Sequence, residues 1–274
     1  VDEWACNLAS FVSTEALRLK YNLRAPIVHE KILAQKYFAL MRKSGSLRNR
    51  FRKPADLSIF TAHNHPTPSL LEQNLSFLGV EHTVLKPPLP VWSNSLRVQS
   101  FVSFLENCST RYVLYCDSDD VILREDPARI MAVFESHDCD LLYCSTNYSA
   151  GYLNMPAVKS WVEEQHPNRY LNAGVFIGRT AFALEVYKCV LNYVEQTDTL
   201  NNPDSQAFYR NELSYFQDFP KGTGCDQAIL RFLEPRYSPR LRIDSECRLV
   251  WRHAPAARLA YWPKLFSHKL FGSF

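Results

Sequence analysis

The chain is expected to fold as an α/β protein with a mostly parallel sheet flanked by helices. From residue 54 onward, short apolar strands alternate with amphipathic helices, the pattern of strand–helix–strand units. One strand, Arg111–Cys116, is apolar without alternation, as a strand covered on both faces must be. It runs directly into carboxylates, at the strand end where open α/β sheets carry their ligands.

The elements follow in order. Residues 3–20 and 27–42 have apolar residues at helical spacing, the second through Ile32, Leu33, Tyr37, Phe38, Leu40 and Met41. The basic, glycine-containing stretch Arg42–Lys53 reads as a solvated linker, and Pro54 closes it. A helical N-terminal extension with its linker is therefore expected over 1–53 and the main domain over 54–274. In that domain Leu57–His63 reads as a strand. Thr67 and Pro68 read as the cap and first turn of a helix reaching Leu78. Strands over 80–85, 140–145, 174–178 and 241–244 and helices over 95–106, 127–135, 180–194 and 226–233 complete the series.

Composition excludes several classes. With 46% hydrophobic and 22% charged residues the 274-residue chain can bury a sizeable core, which excludes disorder. No apolar run approaches the roughly 18 residues of a spanning helix. Val1-Asp2-Glu3-Trp4 has neither the basic start nor the apolar stretch of a secretory leader. Eight scattered cysteines include no C-x-x-C pair, which argues against structural zinc and for free thiols in a reducing, cytoplasmic setting. Three N-x-S/T sequons, at Asn74, Asn107 and Asn147, are short enough to arise by chance. The net charge of +3 divides into +7 over residues 1–53 and −4 over the rest, so nucleic acid is not the expected partner of the main body.

The chemistry concentrates in four places. Asp117-Ser118-Asp119-Asp120 follows the buried strand; crowded carboxylates there call for a cation, and hard oxygen ligands favour Mg²⁺ or Mn²⁺. A solvated acidic turn is the plainer alternative. The same residues fit D-x-D-x-V, in which Asp117 would be a phosphatase nucleophile of the haloacid-dehalogenase type and Asp119 its acid/base. That reading expects the strand near the start of its domain and a later G-D-x-x-x-D, and neither is found. Asn172-Ala173-Gly174 offers an amide for sugar hydroxyls and small residues for close backbone approach, or simply a tight buried turn. Gly222-Thr223-Gly224-Cys225-Asp226-Gln227 places a carboxylate and an amide at a helix start, where Asp226 also serves as a plain cap. Near the end, His268 is a candidate metal ligand and Lys269 a phosphate contact, with His253 competing. There is no G-x-S-x-G elbow, Walker loop or H-E-x-x-H.

The order of these motifs, Arg97 before D-S-D-D-V, then Y-L-N-A-G-V-F-I-G, then Asp226-Gln227, then a late His, resembles a GT-A glycosyltransferase. Within that group it resembles the glycosyltransferase domain of the procollagen lysyl hydroxylases and their bacterial and viral relatives, over residues 55–272. The resemblance implies a Rossmann-like GT-A fold and retaining transfer of a hexose from a nucleotide sugar, UDP-linked, to a hydroxyl-bearing acceptor. It implies Mn²⁺ (or Mg²⁺) held by Asp117, Asp120 and His268. Thr61 and Ala62 would lie near the nucleobase, Asp119 at the nucleoside, Ser118 beside it among the donor-binding residues, and Arg97 and Lys269 at the diphosphate. Asn172, Ala173 and Gly174 would line the sugar pocket with Asp226 as its carboxylate and Gln227 beside it. Asp119 stands where the animal enzymes carry an aromatic residue. A binding module without turnover is the further alternative, and residues 1–53 are read as an element for oligomerisation, acceptor docking or attachment to a further domain.

Overall fold

The structure, a computed structural model, describes residues 25–87, 94–147, 156–167, 169–197 and 226–252. The helical pattern over 3–20, the 222–225 loop, His253, His268 and Lys269 lie outside them. The first elements are β1 (Ile27–His29), α1 (Lys31–Ser44), β2 (Leu57–Ala62), α2 (Leu70–Leu78), β3 (Thr83–Leu85) and α3 (Asn94–Asn107). Next come β4 (Tyr112–Cys116), β5 (Val121–Leu123), α4 (Pro127–Glu135), β6 (Leu141–Thr146) and α5 (Pro156–Gln165). The last are β7 (Tyr170–Arg179), α6 (Thr180–Thr197), α7 (Asp226–Tyr237), β8 (Leu241–Asp244) and β9 (Val250–Trp251).

Six strands form the central sheet in the order β3-β2-β4-β7-β6-β8. It is parallel except for β7, which runs antiparallel to both its neighbours. This is a Rossmann-like GT-A arrangement, and the expected α/β class holds. Because side chains alternate across a strand, β4 feeds two cores. Tyr112, Leu114 and Cys116 pack on the side of α1, α2 and α4. Val113 and Tyr115 pack on the side of α3, α5, α6 and α7. On that second face Phe176 lies within 5.4 Å, centroid to centroid, of Tyr115, Tyr143 and Tyr187. Truncating such a ring to alanine costs about 3–5 kcal/mol.

Several local expectations are corrected. Residues 27–29 are a strand, not the start of a helix: Glu30 is the N-cap of α1, its carboxylate accepting from the backbone N–H of Ile32 and Leu33. The α2 cap is Ser69, not Thr67. Its hydroxyl accepts from the Glu72 N–H while Glu72 reaches back to the Ser69 N–H, and this reciprocal pair fixes the start. Asn172 to Gly174 lie within β7 rather than in a turn before it. The sequon residue Asn74 is fully buried and bonds both the N–H and the C=O of Leu123, so it is no glycan acceptor in the fold. The six described cysteines are free thiols, as expected.

The N-terminal part is built into this body. β1 lies between β5, antiparallel, and β9, parallel, in a second, three-stranded sheet. Leu33, Tyr37, Phe38 and Met41 of α1 join the same core as Leu114 and Val175. In the basic stretch the Arg48, Arg50 and Arg52 side chains are exposed, yet its backbone is anchored: Asn49 and Phe51 donate to Phe77 and Leu78 at the end of α2.

Candidate active site

The site stands where β4 ends. The parallel strands β2 and β4 finish together: Thr61 Oγ1 donates to the Cys116 carbonyl at 2.7 Å. The chain then turns through Asp117–Asp120 into β5, and this turn is tied down from two directions. Leu71 at the start of α2 donates to the Ser118 carbonyl, and the Asp117 N–H donates to the Gly174 carbonyl at 2.7 Å. Tyr115, rooted in the aromatic core, donates its hydroxyl to Asp117 Oδ1 at 2.7 Å.

Opposite the turn is His29, at the end of β1. Its Nε2 lies 3.3 Å from Asp120 Oδ2 and 4.0 Å from Asp117 Oδ2, with the imidazole almost wholly buried and both carboxylates one-third exposed. One ligand atom from each of His29, Asp117 and Asp120 falls within 4.8 Å of the others. Two carboxylate oxygens and an imidazole nitrogen suit a divalent ion such as Mn²⁺ or Mg²⁺. The close approach of His29 and Asp117 to β7 depends on Gly174. A Cβ there would fall against the His29 ring and 2.5 Å from Asp117 Oδ2.

The electrostatics fit the same purpose. Burial drives the Asp117 carboxyl above its usual range, against the pull of the His29 and Arg97 charges. Burial pushes Asp120 the same way, but the hydrogen bond from His29 wins and holds it below its ordinary value. Burial and Arg252 oppose a charge on His29; its bond to Asp120 and the neighbouring Cys144 outweigh them, and it is raised to about 9. A divalent cation binding these three groups would have to displace the proton that this raised pKa favours on His29.

A second group lines the other side of Asp117. Consecutive β6 residues Tyr143 and Cys144 pair with Phe176 and Asn172, so Ala173, Gly174 and Val175 bulge out of the β6 ladder beside the acidic turn. Bulges of this kind re-aim backbone next to active sites. Asn172 bridges the group: its amide donates to Gln227 Oε1 at 2.7 Å, and its Oδ1 accepts from the Gly174 N–H at 3.1 Å. Gln227 Oε1 also accepts from the Ala173 N–H. Buried Asp226, at the first turn of α7, pairs with Arg97 of α3 at 2.5 Å. The structure therefore places Arg97 on a carboxylate, with its Nε buried and without a partner among the described residues.

Of the residues singled out in the sequence, the fold brings Asp117, Asp120, Asn172, Ala173, Gly174 and Gln227 around one point, with the Asp226–Arg97 pair behind them. Thr61 and Ala62 are buried at the end of β2, Thr61 as the tie to β4. Ser118 is buried in the turn. Asp119 faces outward and takes a hydrogen bond from His65. His268 and Lys269 lie outside the described residues. Sequence reasoning misses His29, because the apolar run after Pro26 has helical spacing and reads as one helix. Ile27-Val28 before a capping Glu30 is the signal that would have placed a strand end there.

Residues 95–217 match the family model of the PLOD GT domain, so the likeness to this glycosyltransferase domain holds over that segment. The matched segment contains Arg97, the acidic turn and Asn172 to Gly174; His29, Thr61, Ala62, Asp226 and Gln227 lie outside it. No curated protein matches the chain. The match supports a glycosyltransferase-type function.

Proposed function

We propose that this glycosyltransferase-type chain is a metal-dependent hexosyltransferase that moves a sugar from a UDP-linked donor to a hydroxyl acceptor with retention. The observation that carries the reading is the His29, Asp117 and Asp120 set at the carboxyl end of β4, with Gly174 letting the imidazole and the Asp117 carboxylate close up against the β7 backbone. A divalent ion, Mn²⁺ or Mg²⁺, would supply charge neutralisation for the departing diphosphate.

The chain's own residues do the rest. Asp117 and Asp120 give the anionic oxygens and His29 the nitrogen. Tyr115, bonded to one oxygen of Asp117, turns the other toward His29. Asn172 and Gln227, locked to each other and to the bulged backbone, present fixed amides to sugar hydroxyls. Asp226 is the pocket carboxylate, and its ion pair with Arg97 fixes its orientation. In a retaining transfer the leaving phosphate can take the acceptor's proton, so no separate protein base is required. Preorganised charge at the leaving group is then the main catalytic contribution. In the phosphatase alternative Asp119 would serve as acid/base, but Asp119 turns away from Asp117 to His65.

The test is a thermal-shift series with UDP, GDP, CDP, ADP and dTDP, each with and without Mn²⁺. A nucleotide at a hundred times its dissociation constant stabilises the fold by about 2.7 kcal/mol. We expect a clear shift for UDP that needs Mn²⁺. Absence of any Mn²⁺-dependent shift, together with release of phosphate from a generic phosphomonoester, would overturn the reading in favour of a phosphatase.

A further inference from the structure

We propose that His65 supplies the ring on which the nucleobase of the donor stacks, held in place by His63 and Asp119; this rests on the nucleotide-sugar reading above. A nucleotide sugar is a linear molecule in which the diphosphate separates the sugar from the nucleoside. With the diphosphate at His29, Asp117 and Asp120, and the sugar on the side of β7 and α7, the base must lie on the opposite side of Asp117. That side is the end of β2, and the chain leaving β2 runs Ala62-His63-Asn64-His65.

Two imidazoles stack there, with centroids 5.0 Å apart and planes 24° from parallel. They have different duties. His63 is buried and both its nitrogens are committed. Its Nδ1 accepts from the His65 backbone N–H at 3.1 Å, so the ring proton is on Nε2, which donates to Glu72 Oε2 at 2.6 Å. Glu72 is itself fixed by the capping box of α2. His63 is therefore a rigid post. His65 rests one face on it and donates from Nε2 to Asp119 Oδ2 at 2.9 Å, with its side chain 43% exposed.

A half-exposed ring with one face packed and one edge anchored to the acidic turn is a stacking platform, and every base has a π-face to offer it. Asp119 is the link between the two functions of the turn. Its neighbour Asp120 faces the metal position, while Asp119 sets the angle of the platform.

The proposal is tested by titrating UDP, GDP and inorganic pyrophosphate, each with Mn²⁺, into wild type, His65→Ala and His65→Phe. We expect His65→Ala to weaken the tighter nucleotide by about tenfold or more while pyrophosphate changes less than about twofold, and His65→Phe to restore nucleotide binding. Melting curves of both variants establish that they are folded, which the exposure of His65 favours. Unchanged nucleotide affinity in His65→Ala overturns the proposal, as does parallel loss of pyrophosphate, or a phenylalanine variant as weak as the alanine one. Those outcomes leave the glycosyltransferase reading standing. A wild type that binds pyrophosphate but neither nucleotide overturns that reading along with the proposal.

Discussion

The two ends of the central sheet carry the same problem, an aspartate under a crowd of charges, and resolve it differently. At the end away from the site, Asp140 sits between two guanidinium groups, Arg179 Nε at 2.9 Å and Arg240 Nε at 2.6 Å. These arginines also lie over the Tyr112 and Phe182 rings. At the site, Asp117 and Asp120 face a histidine. A guanidinium keeps its proton at any working pH, so the charge of Asp140 is matched permanently. An imidazole can give its proton up and become a ligand. On the proposed reading, the partner, more than the carboxylate, decides which end would exchange a proton for a metal ion.

The strongest way to break this comparison is Asp117→Asn. It removes the charge of a proposed ligand from the site and leaves the far end intact. Mn²⁺-dependent turnover should fall about 10²–10³-fold with little change in melting temperature, measured by product formation beside a thermal melt. A fully active variant would remove Asp117 from the metal set.

Gly174→Ala tests whether the space matters as much as the ligands. The added methyl falls against the His29 ring and Asp117 Oδ2. Overpacking of this kind costs about 1–3 kcal/mol. We expect Mn²⁺ binding by calorimetry to be lost even though every ligand remains. Retained binding would mean that the ion sits elsewhere.

The proton exchange gives a pH signature. His29 is raised from 6.5 to about 9, so over that window metal must displace a proton. Mn²⁺ affinity should therefore rise with pH by up to about tenfold per unit and level off above about 9. The metal-free protein should do the opposite. The contribution of a raised histidine to stability is complete below 6.5 and is lost as pH rises through about 9. His29→Gln should flatten the first trend; a slope that survives the change would assign the proton to another group. The smallest effect belongs to Asp140→Asn. Its arginine partners are about half exposed, so unfolding free energy should drop by no more than about 1 kcal/mol and turnover should not change.

What the sequence could show and what it could not divide along physical lines. The buried strand 112–116 and the acidic turn were legible because hydrophobic burial and charge crowding are local and leave a local pattern. The small residues 173 and 174 were legible as a close approach, but not the bulge that makes it. That bulge is a mismatch of register between β7 and β6, and register is a property of two segments at once. His29 was illegible for a similar reason. Its role comes from β1 being held between β5 and β9, segments roughly 90 and 220 residues further along the chain. The Arg97–Asp226 pair joins helices 129 positions apart, and without it Arg97 looks like a free cation waiting for phosphate.

The three-stranded sheet has a practical consequence for anyone shortening the chain. Strand β1 fills the gap between β5 and β9, and with it gone both would present bare edges, open N–H and C=O groups that invite intermolecular pairing. A fragment cut at Pro54, just before the main run of alternating elements, would lose β1, the α1 side chains from the core and the imidazole at once. Such a fragment should be prone to aggregate and blind to metal. The smallest piece worth expressing begins upstream of Ala25, whose carbonyl already holds Arg124 beside the end of β5.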